Sequence, residues 1–403
     1  MKKLLALLLA LPLGAMAGGF QINTQGQKAL SLGGSLTGRA MDASVTFFNP
    51  GGLTFLESNS FTLGTTILTP KTSMLSEFNG SVDMESQTFT PIQFYGAYAI
   101  NDKLSAGIAL NNPFGLGTKW EDDWEGRFVS QEILLELFAV QPTISYKVTD
   151  KIGVGAGLVY SWGHAEVRKA IPVQSATIPF GQADLTGSGS GLGFSAGLYA
   201  QLTDDITAGF SYRSEVGLDL EDGEGKFTDI PLSLQTTFPA EADWNSAIDL
   251  PAVMSFSIAY DVSENVMAMV EANITQWSSY DSLIFDFGAD SPYTSRQGRK
   301  YEDVVAVRAG VQYAQSEKLD LRVGFAYDQS PAPDGYVGPE LPDANKFLIT
   351  LGGTYDINEK FNVDLSYIYE NAEERTGTQD ESGFTGTYKT ILNGFGVGVN
   401  YNF

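Results

Sequence analysis

The chain has 403 residues and a formal net charge of −24, with no cysteine and a single histidine, His164. So acidic a chain argues against nucleic-acid partners, whose phosphates would repel it. The missing residue types exclude a disulfide framework, a thiolate metal site and a multi-histidine zinc site.

The chain begins with Lys2 and Lys3, an apolar run from Leu4 to Leu13, and Ala15-Met16-Ala17 before Gly18. This is the layout of a secretory signal peptide, 1–17, and the run is too short for a membrane-spanning helix. Its removal takes two lysines and no acids, moving the charge from −24 to −26. Residues 18–57 then show no alternation. They carry small residues (Gly33, Gly34, Ser35, Gly38, Ala40, Ala43) and end in the stretch Thr46-Phe47-Phe48-Asn49-Pro50-Gly51-Gly52-Leu53. Pro50 lacks an amide donor and two glycines follow, so this stretch is neither regular helix nor strand. Short helices and turns packed inside a barrel would give Phe47, Phe48 and Leu53 a dry place, with Asn49-Pro50-Gly51 as the seam between plug and wall.

From residue 58 onward the pattern is period-two. In 318–328 Leu319, Leu321, Val323, Phe325 and Tyr327 oppose Asp320, Arg322, Gly324, Ala326 and Asp328. In 393–403 Phe395, Val397, Val399, Tyr401 and Phe403 oppose glycine and asparagine. Aromatics gather at strand ends and the chain finishes on an outward phenylalanine, which tilts the reading from a soluble sandwich to a membrane barrel. Short polar turns recur at 100–102, 148–151, 202–205, 261–265, 315–318 and 356–360. Each is flanked by alternating segments, and between them lie two spanning strands and a long loop. Six such turns predict an all-β membrane protein, a 14-stranded antiparallel transmembrane β-barrel with an N-terminal hatch, in one domain over 58–403. Both chain ends then fall on the periplasmic side of a bacterial outer membrane.

Within this frame the third strand runs Leu104, Ala106, Ile108 and Leu110 on one face, then meets Asn111-Asn112-Pro113-Phe114-Gly115. A proline there either kinks the strand and opens the wall or simply starts the loop. Apolar residues also fall in loops on the water side: Ile171, Val173, Ile178 and Phe180 after strand 5, and Ile230, Leu232, Leu234 and Phe238 after strand 7. They pack together as a lid or bind something greasy. The stretch 130–138 is either a loop helix over the mouth or the lead-in to strand 4, and the acidic run Glu121-Asp122-Asp123-Trp124-Glu125 reads as a solvated loop.

Gly19-Phe20 near the mature start, a glycine-rich hatch ending in Asn49-Pro50-Gly51, and the stretches 111–120, 212–216, 274–280 and 328–347 together resemble the outer-membrane long-chain fatty acid transporter family, which includes aromatic-hydrocarbon channels. The family has alanine at the position of Gly51, and glycine keeps that position small. The resemblance spans the mature chain. It implies passive uptake of a hydrophobic small molecule, long-chain fatty acid or aromatic hydrocarbon. The ligand is caught in a loop groove, passed to a lumen pocket, and released sideways at a strand-3 kink, Asn111 to Gly115, under control of the hatch. It favours the kink over the early strand end.

An acid ligand needs a cation, for which arginine is suited. The candidates are Arg213 on the inward face of strand 7, Arg168 at the top of strand 5 (its register open by one residue), and the cluster Arg296, Arg299 and Lys300. Arg308, Arg322, Glu271 and Asp364 are expected to pair with one another or with the plug. Other expectations are no cofactor, no metal, a monomer, and contact with outer-membrane lipid and lipopolysaccharide. Catalysis is not expected: Ser161 and His164 fall on opposite faces of one strand. A general porin or a surface receptor are the remaining alternatives, and the 40-residue insertion argues against the porin.

Overall fold

The computed structural model describes residues 18–76, 80–173, 175, 177–288 and 294–403; the predicted signal peptide lies outside them. Fourteen spanning strands follow a short N-terminal segment. The first five are β1 Ser60–Ser76, β2 Ile92–Asn101, β3 Leu104–Asn111 resuming at Gly115–Lys119, β4 Glu132–Thr149 and β5 Ile152–Ile171. Next come β6 Gly181–Gln201, β7 Ile206–Arg213 with Val216–Thr228, β8 Glu241–Leu250 with Val253–Ser263, and β9 Val266–Thr275. The ring ends with β10 Val304–Ser316, β11 Leu319–Asp328, β12 Lys346–Asp356, β13 Phe361–Ala372 and β14 Phe384–Asn402. Each strand pairs antiparallel with the next, and β1 pairs with β14 from Ser60↔Asn402 to Leu75↔Thr387, so the sheet closes on itself. Closure pairs the first strand with the last, so neither presents a free edge to the hydrocarbon, where an unpaired amide would be costly.

Alternation decides which side chains meet lipid. On β14 Phe395 is 64% exposed, with Val397 and Val399 on the same face, while Gly396 and Gly398 turn inward onto Gln27. Strands β5 and β6 run 20 and 21 residues against 10 for β9 and β11. About 10 residues span the apolar layer, so β5 and β6 carry the extracellular half of the wall well beyond it. Residues 130–138 are the lead-in to β4, not a helix.

Residues 18–55 hold two short helices, α1 Gln27–Ser31 and α2 Val45–Phe48, and a 3-10 turn at Pro50–Phe55. Leu30, Leu32, Leu36, Val45 and Leu53 retain 2% or less of their surface, each burial contributing about 1.5–3 kcal/mol. α1 packs on β12 and β13, and the 3-10 turn on β4, β5 and β6, so the segment lies inside the ring. Buried charges tie it to the wall. Glu271 accepts from the amides of Leu36 and Thr37 at 3.2 and 3.0 Å. Arg308 donates to Gly33 O at 2.9 Å and Asn23 Oδ1 at 3.1 Å, and pairs with Asp328 at 3.2 Å. Arg322 sits between Asp364, Thr354 and Asp320 on the strands themselves.

Candidate functional site: a broken strand, two apolar cavities and a seam

The break in β3 has a simple geometric cause. Asn111 pairs with Ala139 and Gly115 with Glu136, so three residues of β3 face two of β4. That one extra residue is a bulge, and Pro113 within it has no amide to give the ladder. Asn112 stitches the gap: its Oδ1 accepts from Ile92 N at 2.9 Å and its Nδ2 donates to Leu137 O at 2.8 Å. β2 pairs with β3 only as far as Gln93↔Asn111. Past that point the N-terminal arm takes over the inner edge, with Ile22 N donating to Pro113 O and Phe20 O accepting from Gly115 N, both at 3.0 Å.

A cavity of about 500 Å³ lies at this break. It is lined by Leu135 and Leu137 from the inner face of β4 and by Leu134, Glu136 and Phe138 from its outer face, so it reaches both sides of the wall. Phe20, Ile22, Leu68, Phe89 and Leu392 supply more apolar lining, and Lys346 is its cation. Lys346 is already held by Asp343 at 3.6 Å and Glu370 at 3.7 Å.

An inner cavity of about 70 Å³ shares Phe20, Leu116, Leu134, Leu135 and Leu341 with the first. Phe20 borders both cavities. Its ring meets Trp277 edge-on at 4.8 Å, Tyr280 at 5.5 Å and Phe114 at 6.0 Å. Arg299 reaches this inner cavity and pairs with Glu340 at 3.0 Å. Burial weighs against its charge, but Tyr280, Glu340 and Tyr301 outweigh burial and hold the guanidinium above its ordinary range. A third cavity, also about 70 Å³ and polar, lies between the arm and β6 to β10.

Of the remaining cations, Arg213 lines the polar cavity, not the apolar ones. It donates to Gln141 Oε1 at 2.9 Å and Phe47 O at 3.0 Å, and its guanidinium lies 4.1 Å from the Phe47 ring centroid. It therefore fastens the seam to the wall. Arg168 faces away from the lumen: Ala165 and Val167 point in, and strict alternation turns Arg168 out onto Asp122 and Asp184 at 3.1 and 3.2 Å. Arg296 and Lys300 are exposed, Lys300 lying over the Tyr336 ring, and neither lines a cavity described above. The loop residues gather in their own cluster. Ile171, Val173, Ala183, Phe227 and Ile230 are its core, with Leu234 and Phe238 packed against it. Phe180 stacks edge-on with Phe128, Ile178 is half-buried, and Leu232 is 86% exposed. In the acidic run Trp124 is buried and stacked on Trp120 at 4.4 Å, while Asp122 serves Arg168. His164, on the outer face, bonds Ser188 and Glu166.

At the seam Asn49 is fully buried and its side chain makes three bonds. Its Nδ2 donates to Thr37 O at 2.8 Å and Leu198 O at 3.0 Å, and its Oδ1 accepts from Gly51 N at 3.0 Å. Asn49→Ala strands two carbonyls and an amide, at about 1–3 kcal/mol each when buried. Amide exchange across residues 45–55 is expected to quicken roughly tenfold for each 1.4 kcal/mol lost, with strand amides unchanged, as read by deuterium uptake and mass spectrometry.

A closed barrel with a lipid-facing belt, a filled lumen and an apolar path defines an outer-membrane transport protein. The sequence pattern of the family described as outer membrane protein transport protein (OMPP1/FadL/TodX) matches residues 8–403, and the chain belongs to that family. It is 26% identical to the 47 kDa outer membrane protein of Pasteurella multocida, covering 99% of this chain and 98% of the relative. It is 23% identical to the long-chain fatty acid transport protein of Salmonella typhi, with 96% and 95% covered. Among solved structures a Pseudomonas aeruginosa FadL homologue matches with a TM-score of 0.84 at 20% identity, over 96% of this chain and all of that one. The Ralstonia pickettii toluene transporter TbuX matches with 0.71 at 17%, over 94% and 98%. The chain is thus a non-enzymatic outer-membrane channel of a family that moves hydrophobic compounds.

Proposed function

We propose that the chain carries long-chain fatty acids or similarly hydrophobic compounds passively across the outer membrane and releases them sideways into it. The wall cavity supports this reading, because it shares Phe20 and four leucines with the inner cavity and reaches both faces of β4 where β3 is broken. Leu232 and the apolar loop cluster beside it offer the first contact from outside. Residues 18–57 act as the hatch over the barrel of 58–403, with Phe47 to Gly51 as its seam, and the arm on the inner edge of the break is the part that yields.

A second reading, an aromatic hydrocarbon, is favoured by the edge-on cluster of Phe20, Phe114, Trp277, Tyr280 and Tyr301, which suits a flat ring. The test is uptake of labelled long-chain fatty acid and labelled toluene by cells lacking their own transporters, with matched surface levels. Uptake is expected with the intact chain and is expected to fall when Asn49, Pro50 and Gly51 are deleted. A properly inserted barrel that takes up neither these compounds nor a labelled long-chain alcohol would overturn the proposal.

A further inference from the structure

The inner cavity has polar atoms that an apolar ligand would leave stranded. Glu340 is 8% exposed; its Oε1 accepts from Arg299 Nη1 at 3.0 Å and Gln379 Nε2 at 2.5 Å, but its Oε2 is buried without a partner. Trp244, 2% exposed, lines the same cavity with its Nε1 unpartnered, and so does the hydroxyl of Ser246. One acceptor, one donor and one group able to be either thus border a space whose other walls include Ile133, Leu135 and Ile248.

The charges at this spot already cancel. Arg299 spends Nη1 on Glu340 and Nη2 on Gln297 Oε1 at 2.9 Å. An ionised carboxylate entering here would meet Glu340 as a like charge in a dry site and find Arg299, the one cation among the described lining residues, already paired. An alkane would leave the Glu340 oxygen and the Trp244 N–H bare, which is costly for buried groups. A hydroxyl satisfies both sides at once, since it donates one hydrogen and accepts two.

We infer that the inner cavity selects an uncharged hydroxyl head on a hydrophobic body, with a long-chain primary alcohol as the class that fits. The hydroxyl donates to Glu340 Oε2 and accepts from Trp244 Nε1 or Ser246. The inner cavity, at about 70 Å³, holds the head alone, and the chain passes Phe20 into the wall cavity of about 500 Å³, a size within the usual range for small-molecule pockets. This rests on the transport reading above and narrows its substrate. Glu340 is then the specificity-determining residue: it neutralises the arginine that would otherwise bind an acid, and it offers the oxygen an alcohol needs.

The test is equilibrium binding of decanol, decanoate and decane to the full chain in lipid nanodiscs, at about pH 8 where the acid is ionised, against empty nanodiscs. Decanol is expected to bind roughly tenfold or more tightly than either analogue. Glu340→Gln keeps the shape but frees the charge of Arg299, so decanoate is expected to gain and decanol to lose, reversing their order. Trp244→Phe keeps a ring without the N–H and is expected to weaken decanol and to strengthen decane, which then strands one polar group fewer; it decides the matter if the Glu340 variant does not fold. Decanoate binding as tightly as decanol in the unaltered chain, or an order that neither variant shifts, overturns the inference. Failure of all three to bind, with no uptake in cells, strikes the transport reading instead.

Discussion

Cells carrying a cysteine pair at Gln21 and Phe114 are expected to lose hydrophobic-compound uptake on oxidation, down to the level of cells without the protein, and to regain it on reduction. The two residues face each other in an isolated antiparallel bridge between arm and bulge. The flanking hydrogen bonds run from Ile22 N to Pro113 O and from Gly115 N to Phe20 O, which makes theirs a non-hydrogen-bonded pair. Such pairs stand with Cα atoms about 4.5 Å apart, inside the span a disulfide bridges. The chain has no cysteine of its own, so the engineered thiols have no other partner within it. Oxidised, the arm is fixed across the inner edge of the break and Phe20 with it. The single-cysteine variants separate this effect from loss of the Phe114 ring, and mass analysis measures the cross-linked fraction. Full cross-linking with undiminished uptake would show that ligand leaves without displacing the arm, and the lateral route would fall.

Much of this architecture could be read from period and turn chemistry. Short turns such as 148–151 and 356–360 gave the strand number because each sits between segments whose alternation is enforced by lipid on one side. Asn49-Pro50-Gly51 stood out for a related reason: proline and paired glycines break both regular periods. The side of the wall on which Arg168 falls was harder, since a one-residue shift reverses a strand face, and the ion partners Asp122 and Asp184 come from a loop and a neighbouring strand. The cavity walls were the least legible part. Glu340 lies in an irregular loop 41 residues from Arg299, and no local pattern announces that pair. Trp120 and Trp277 stood in stretches singled out for resemblance, yet their burial follows from how loops fold over the lumen. Unusually apolar loop residues were the available signal. For Ile230, Leu234 and Phe238 that signal meant packing on one another, whereas Trp277 and Tyr280 pack edge-on against Phe20 and Tyr280 lines the inner cavity.

The second large effect concerns the floor beneath the seam. Gly155→Val is expected to unseat Asn49-Pro50-Gly51 and turn a closed barrel into an ion-conducting one. A Cβ at Gly155 would run into the Pro50 carbonyl, and one at Gly197 would stand 2.8 Å from Gly51 N. Gly51 is equally confined: its own Cβ would lie 2.8 Å from both Gly153 O and Gly197 O. Glycine at position 51 is therefore more than a small stand-in for the alanine of the family pattern, because a methyl there meets two backbone carbonyls. Valine favours strands, so β5 itself should hold and the misfit should fall on the seam. Overpacking of this kind costs about 1–3 kcal/mol, which converts to roughly a 5–150-fold rise in the unseated population. Planar-bilayer recording reads that rise directly as time spent conducting, and retained resistance of the barrel to detergent at room temperature shows that the wall survives. Gly51→Ala should act in the same direction with a smaller effect, having one methyl where valine has more. A Gly155→Val barrel as quiet as the unaltered one would mean that the floor yields to the seam, and the Asn49 contacts alone would then have to account for closure.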